Sequence, residues 1–92
     1  MAPQKNVYRD VVINNALGLH ARSAAQIAKI VQKAKANVWI KRGPEKVDAS
    51  SIMDILTLAC EKGTTITIMI EDMSDIDILE AVAELVNSGF GE

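Results

Sequence analysis

A single cysteine, Cys60, leaves the chain without any internal disulfide framework. That fits a reducing compartment. Aromatic residues are almost as scarce, with one Trp, one Tyr and one Phe. Aliphatic side chains must therefore fill most of the core. No run of about 18 apolar residues is present to span a membrane. Met1 to Asp10, with Lys5, Arg9 and Asp10, lacks the apolar stretch of a secretory leader. The expected location is the cytoplasm, without insertion into a membrane. Excess charge of one sign is also missing, since the formal net charge is -2. Non-specific nucleic-acid binding needs a strong basic excess, so nucleic acid is not an expected partner. There is one histidine, His20, and Cys60 is distant from it in sequence. No metal-ligand cluster and no cofactor follow from that set. The Gly-rich phosphate loop of nucleotide-binding proteins is absent too. No second acid or base stands near His20 in sequence, which disfavours an enzyme with a small-molecule substrate.

What is present is 92 residues with an aliphatic bias, enough for one domain over 1–92. A chain this long buries somewhat over ~60% of its unfolded surface, which supports a small core. Val7 to Ile13 reads as a strand with Val7, Arg9, Val11 and Ile13 on one face. Asn14 to Gly18 breaks the pattern as a loop. Ala21 to about Ala34 is rich in helix formers, with Ala24, Ile27, Ala28 and Val31 in one apolar stripe. Val38-Trp39-Ile40 and Lys46-Val47-Asp48 form a hairpin around Gly43-Pro44. Ser51 with Asp54 resembles a capping box and predicts a helix from about Ser51 to Cys60, closed by Gly63. Ser50 is an alternative cap. Thr65 to Ile70 alternates cleanly, with Ile66, Ile68 and Ile70 on one face. Ser74 with Asp77 predicts the start of a last helix that turns Ile78, Leu79, Val82, Leu85 and Val86 inward and ends near Gly89. The order βαββαβα predicts an α+β fold of two layers, a sheet open on one face and covered by helices on the other. Periodicity does not supply the strand order.

Chemistry concentrates in Gly18-Leu19-His20-Ala21-Arg22-Ser23, where a loop becomes a helix. The first helical turn offers free backbone N–H groups and the positive end of the dipole. Those N–H groups, Ala21 and Ser23 among them, can hold phosphate oxygens. The Arg22 guanidinium can add a charge-assisted contact. Neutral imidazole is a good nucleophile, and its ordinary pKa of ~6.5 keeps it mostly neutral at cytosolic pH. A lone histidine before a helix also reads as a surface or capping residue, so these residues alone leave both readings open.

The run Asn15-Ala16-Leu17-Gly18-Leu19-His20-Ala21-Arg22 is similar to the active-site signature of the HPr family, the histidine-containing phosphocarriers of the bacterial sugar phosphotransferase system. Ser51-Ile52-Met53-Asp54-Ile55-Leu56-Thr57-Leu58-Ala59, followed by Lys62-Gly63 and a strand, resembles the family's regulatory-serine segment. The tail Asn87 to Glu92 matches as well, so the resemblance covers nearly the whole chain. It implies an open-faced two-layer sandwich, with a four-stranded antiparallel sheet of order 1-4-2-3 under three helices. It implies that enzyme I, charged by phosphoenolpyruvate, phosphorylates Nδ1 of His20, and that the group then passes to sugar-specific IIA domains. Arg22 would stabilise the transferred charge. Ser51 would be the target of HPr kinase/phosphorylase. The chain departs from the family's His-Ala-Arg-Pro run at Ser23. Serine there keeps an N–H and adds a hydroxyl, which would loosen the helix start slightly or give the phosphate one more donor.

One or two of Ile52, Met53 and Leu56 face outward if Ile55 and Leu58 face the core, although the pattern alone equally allows all five as core. The resemblance makes them an apolar docking patch with Ala21 and Ala25, rimmed by Arg22 and Lys29; Lys33 is a weaker rim residue. Cys60 reads as a small buried hydrophobe. Transient partners and small size suggest a monomer. Two regulatory alternatives stand beside the carrier: a corepressor-type module acting through its serine-phosphorylated form, and a nitrogen-related branch with its own enzyme I.

Overall fold

The computed structural model describes residues 6–92. The expectation for the chain's first ten residues therefore lies partly outside the described residues. The elements are β1 (Val7–Val12), α1 (Ala21–Val31), β2 (Val38–Arg42), β3 (Glu45–Asp48), α2 (Ile52–Thr57), β4 (Thr65–Ile70) and α3 (Ile76–Asn87). The four strands form one antiparallel sheet of order β1-β4-β2-β3. This is the expected order, and the element string is the expected one.

The inner face of the sheet is aliphatic. Val11, Ile40, Ile66, Ile68 and Ile70 are buried there beneath Ala24, Ile27 and Val31 of α1, Ile55 of α2 and Leu79, Val82 and Val86 of α3. The clean alternation of β4 puts its three isoleucines inward at 0% exposure. The outer face has one aromatic row. Tyr8 and Trp39 both pair with Met69, from either side, and Met69 is buried although no helix covers it. The Lys46 ammonium sits 4.5 Å from the Trp39 ring centroid, a cation–π contact that closes the row.

Three element ends differ from the expectation. Helix α1 stops at Val31 rather than near Ala34. Its last turn tightens, with Lys33 and Ala34 N–H donating to Ile30 and Val31 carbonyls. The next two N–H groups, of Lys35 and Ala36, are captured by the buried Asp75 carboxylate at 2.9–3.1 Å. Helix α2 ends at Thr57, and Gly63 does not close it. Ala59 turns the chain instead, at φ 53°. The Arg42 guanidinium holds the freed Leu58 and Ala59 carbonyls at 2.7 and 2.8 Å. At the start of α3, Ser74 does not cap Asp77. Its hydroxyl donates to Asp72, which caps a short 3-10 turn over Met73–Asp75. Cys60 is buried as expected, and burial pushes its thiol pKa up, so it stays a thiol.

Candidate functional site

The site is built where the loop after β1 meets α1. Gly18 N–H donates to Asn15 carbonyl at 3.1 Å, and Leu19 N–H donates to Cys60 carbonyl at 2.9 Å. The loop is thereby fastened to the segment after α2. His20 follows with extended backbone and is itself the N-cap of α1. Its Nδ1 accepts the Arg22 N–H at 3.3 Å. The capping and the chemical readings of this histidine thus coexist in one residue.

The other ring nitrogen meets a residue from the far end of the chain. His20 Nε2 lies 2.7 Å from Glu92 Oε2. A carboxylate can only accept, so Nε2 carries the proton. The Arg22 N–H needs a lone pair at Nδ1. The two contacts therefore select one tautomer: Nε2 protonated, Nδ1 free as nucleophile. Asn15 braces Glu92 through Nδ2 to Oε1 at 3.1 Å, while also donating to Gly18 carbonyl at 2.8 Å. Glu92 is brought here by the tail. Buried Phe90, at φ 60°, anchors it in the core.

Glu92 answers the missing acid/base partner of the sequence reading. Seventy-odd positions separate it from His20, and only the folded tail brings them together. The match of Asn87 to Glu92 to the family tail was the one signal that could have found it. The His20 hydrogen bond, helped by Asn15 and more weakly by the positive field of Arg22, holds the Glu92 carboxyl below its ordinary value of 4.5. The folded midpoint lies below the unfolded one. The contact therefore stabilises the fold above the ordinary glutamate range and is lost as pH falls through the depressed midpoint. A carbon-detected NMR titration should place Glu92 below 4.5 in the wild type and return it toward that value in His20→Asn. An unshifted wild-type midpoint would mean that the contact is not populated.

Ser23 departs from expectation. Its side chain is fully buried and accepts the His20 N–H at 2.8 Å, with its own proton directed at His20 carbonyl, 3.1 Å, or Gly18 carbonyl, 3.4 Å. The hydroxyl tightens the helix start instead of loosening it. Fully buried, it is engaged with the main chain of His20 and Gly18 rather than offered to solvent. Ala21 and Arg22 are exposed beside His20 on the first turn, and Ala25 is half-buried one turn on. Lys29 is exposed in the last turn of α1.

Helix α2 packs against α1. Ile55 and Leu58 face the core, while Ile52 and Met53 are exposed at 38% and 72% and Leu56 is half-buried. The apolar residues of α2 thus divide between core and surface. Ser51 is the N-cap, accepting Asp54 N–H at 3.1 Å. Ser50 is not; its hydroxyl and N–H both bond Asp48. No group of three or more His, Cys, Asp or Glu side chains could hold a metal ion among the described residues. No helix among them is long and apolar enough to cross a membrane.

Known proteins resemble this arrangement closely. Residues 7–88 match the family model described as the PTS HPr component phosphorylation site. The phosphocarrier protein HPr of Pseudomonas putida is 39% identical, over 91% of this chain and 94% of the relative. The phosphocarrier protein NPr of Shewanella violacea is 36% identical, over 91% of this chain and 92% of the relative. The crystal structure of HPr from Thermoanaerobacter tengcongensis superposes with a TM-score of 0.84 at 32% identity, covering 94% of this chain and 97% of that one. With the strand order, the capped histidine and the match across the whole sheet and all three helices, the chain belongs to the HPr family, the phosphocarrier proteins of the phosphotransferase system.

Proposed function

We propose that His20 is the phosphoryl-carrying residue, loaded at Nδ1 by phosphoenolpyruvate-charged enzyme I and unloaded to IIA domains. The observation that carries this reading is the pair of contacts on the ring. Glu92 on Nε2 leaves Nδ1 with its lone pair, at the N-terminus of α1. In loading, the Nδ1 lone pair forms a bond to phosphorus while the bond from phosphorus to the donor residue breaks, its electron pair returning to the donor. The ring keeps its Nε2 proton and gains positive charge. Glu92 neutralises that charge, as a buried carboxylate does for the imidazolium of a catalytic triad. The Arg22 N–H, released from Nδ1, turns to a phosphoryl oxygen with its first-turn neighbours. The Arg22 guanidinium, which makes no ion pair among the described residues, is available for the same oxygens. Unloading is the reverse, with the acceptor as nucleophile.

The direct test is incubation with phosphoenolpyruvate and a series of bacterial enzyme I proteins, followed by intact mass. One acid-labile phosphoryl group is expected. A folded sample that none of them loads would overturn the carrier reading. The 36% identity to an NPr gives the nitrogen-related branch a specific footing, and the same series separates the branches by which enzyme I loads the chain fastest.

Regulation at Ser51 belongs to the same proposal. HPr kinase/phosphorylase would add a dianion at the N-terminus of α2, where charge favours the helix. The exposed patch of Ile52 and Met53 adjoins it directly. Ser51→Asp is therefore expected to keep the melting temperature, since aspartate caps as well as serine. It should slow loading by enzyme I several-fold, by placing charge in an apolar contact. Loading as fast as wild type would rule out this mode of control.

A further inference from the structure

Two large apolar side chains stand well clear of the surface. Among the described residues Met53, at 72% exposure, and Leu17, at 71%, are the extreme cases. Met53 is in the docking patch on α2. Leu17 is in the loop before His20 and joins no core cluster.

That loop is held rigidly. The Gly18 to Asn15 hydrogen bond closes a turn with Ala16 and Leu17 at its two central positions. Buried Asn15 clamps the turn from inside through Gly18 carbonyl. Gly18 and Leu19 fasten it to Cys60. Leu17 thus projects from a fixed base. Asn15 at the first position and Gly18 at the fourth are what such a turn asks for, and its centre, where neither Ala16 nor Leu17 has a positive φ, accepts most residues. The turn therefore does not require an apolar side chain at Leu17, and the core does not use it.

We infer that Leu17 is a specificity residue for the phosphoryl-donor protein, entering an apolar pocket on that protein as it loads His20. The inference rests on the carrier reading above. Leu17 is three residues from His20, so a protein reaching Nδ1 covers this turn as well. A carrier meets acceptors of different shapes but is loaded by one kind of donor. A side chain on a rigid turn suits the constant partner, because little conformational freedom is lost on binding. The adaptable Met53 suits the varied ones. Exposed Arg22, on the first turn of α1, calls for acidic residues around the donor's pocket.

The test is loading kinetics with the phosphoenolpyruvate-charged enzyme I that loads the wild type fastest. Leu17→Ser should lower kcat/KM roughly tenfold or more, the loss expected for one leucine no longer buried. The loss should lie in KM, with kcat within about twofold and the melting temperature unchanged. Leu17→Met should recover most of the loss, and transfer from the loaded Leu17→Ser protein to an IIA domain should stay within about twofold of wild type. Loading of Leu17→Ser within twofold of wild type would overturn the inference. So would a loss confined to kcat, which would mean a disturbed His20, or an equal loss in transfer to IIA, which would make Leu17 a general contact. Failure of every enzyme I to load the wild type would instead overturn the carrier reading, and this inference with it.

Discussion

Replacing His20 by asparagine is expected to give a folded protein that takes up no phosphoryl group at all. Asparagine is among the best N-cap residues, and its side-chain oxygen can accept the Arg22 N–H that Nδ1 accepts now. The Ser23 contact to the His20 N–H and the Gly18 turn are both independent of the imidazole. What asparagine lacks is a nucleophilic lone pair, because the amide nitrogen's pair is delocalised. Intact mass after incubation with enzyme I and phosphoenolpyruvate should show one added group on the wild type and none on the variant. Thermal unfolding should show a cooperatively folded variant, slightly less stable than the wild type above the glutamate range because the Glu92 contact is gone. His20→Ala makes a useful contrast. It should be equally inert and less stable by about 1 kcal/mol, since it loses the cap as well. A phosphoryl group on His20→Asn would move the site elsewhere, with Ser51 the next residue to examine.

Much of this fold was legible because apolar periodicity and burial are the same physics seen twice. The stripe Ala24, Ile27, Ala28, Val31 and the alternation Ile66, Ile68, Ile70 could bury themselves in only one way, and they do. Element ends were harder to read, since long-range groups decide them. Helix α2 stops at Thr57, where Arg42 of β2 satisfies the Leu58 and Ala59 carbonyls just past its end. Helix α1 stops at Val31, and past its tightened last turn the distant Asp75 takes the Lys35 and Ala36 N–H groups. The site was half legible for the same reason. His20 and Arg22 are local to one turn, and their types allow phosphate chemistry beside a plain capping role. Glu92 reaches the ring only through the anchored tail, and no spacing rule reports that. The place of the Ser23 hydroxyl was not legible, because a hydroxyl near a phosphate site suggests a donor. Complete burial turned it instead to the nearest unsatisfied N–H, that of His20.

Gly18→Ala is expected to cost about 3 kcal/mol of stability and to impair loading with it. Two terms add. Gly18 has φ +68°, in the left-handed region, where a Cβ costs ~1–2 kcal/mol. A Cβ there would also stand 2.4 Å from the Cys60 carbonyl oxygen and 3.0 Å from the Glu61 Cα. Both are backbone atoms and cannot swing aside as a side-chain tip could. Relief requires the loop to part from the segment after α2, which stretches the Leu19 to Cys60 hydrogen bond. Overpacking of this kind typically costs ~1–3 kcal/mol. In a domain of this size ~3 kcal/mol lowers Tm by roughly 12–24 °C. Gly43→Ala separates the terms. Gly43 is also left-handed, at φ +56°, but a Cβ there meets nothing within 4 Å. It should lose only the conformational term, ~1–2 kcal/mol, and load normally, because a Cβ there presses on no neighbour and leaves the loop before His20 in place. If the two variants unfold alike in urea, the close approach at Cys60 is not what holds the loop. If Gly18→Ala is the weaker by the expected margin, loading should fall with it. The same contact that excludes a Cβ sets the path of the chain into His20.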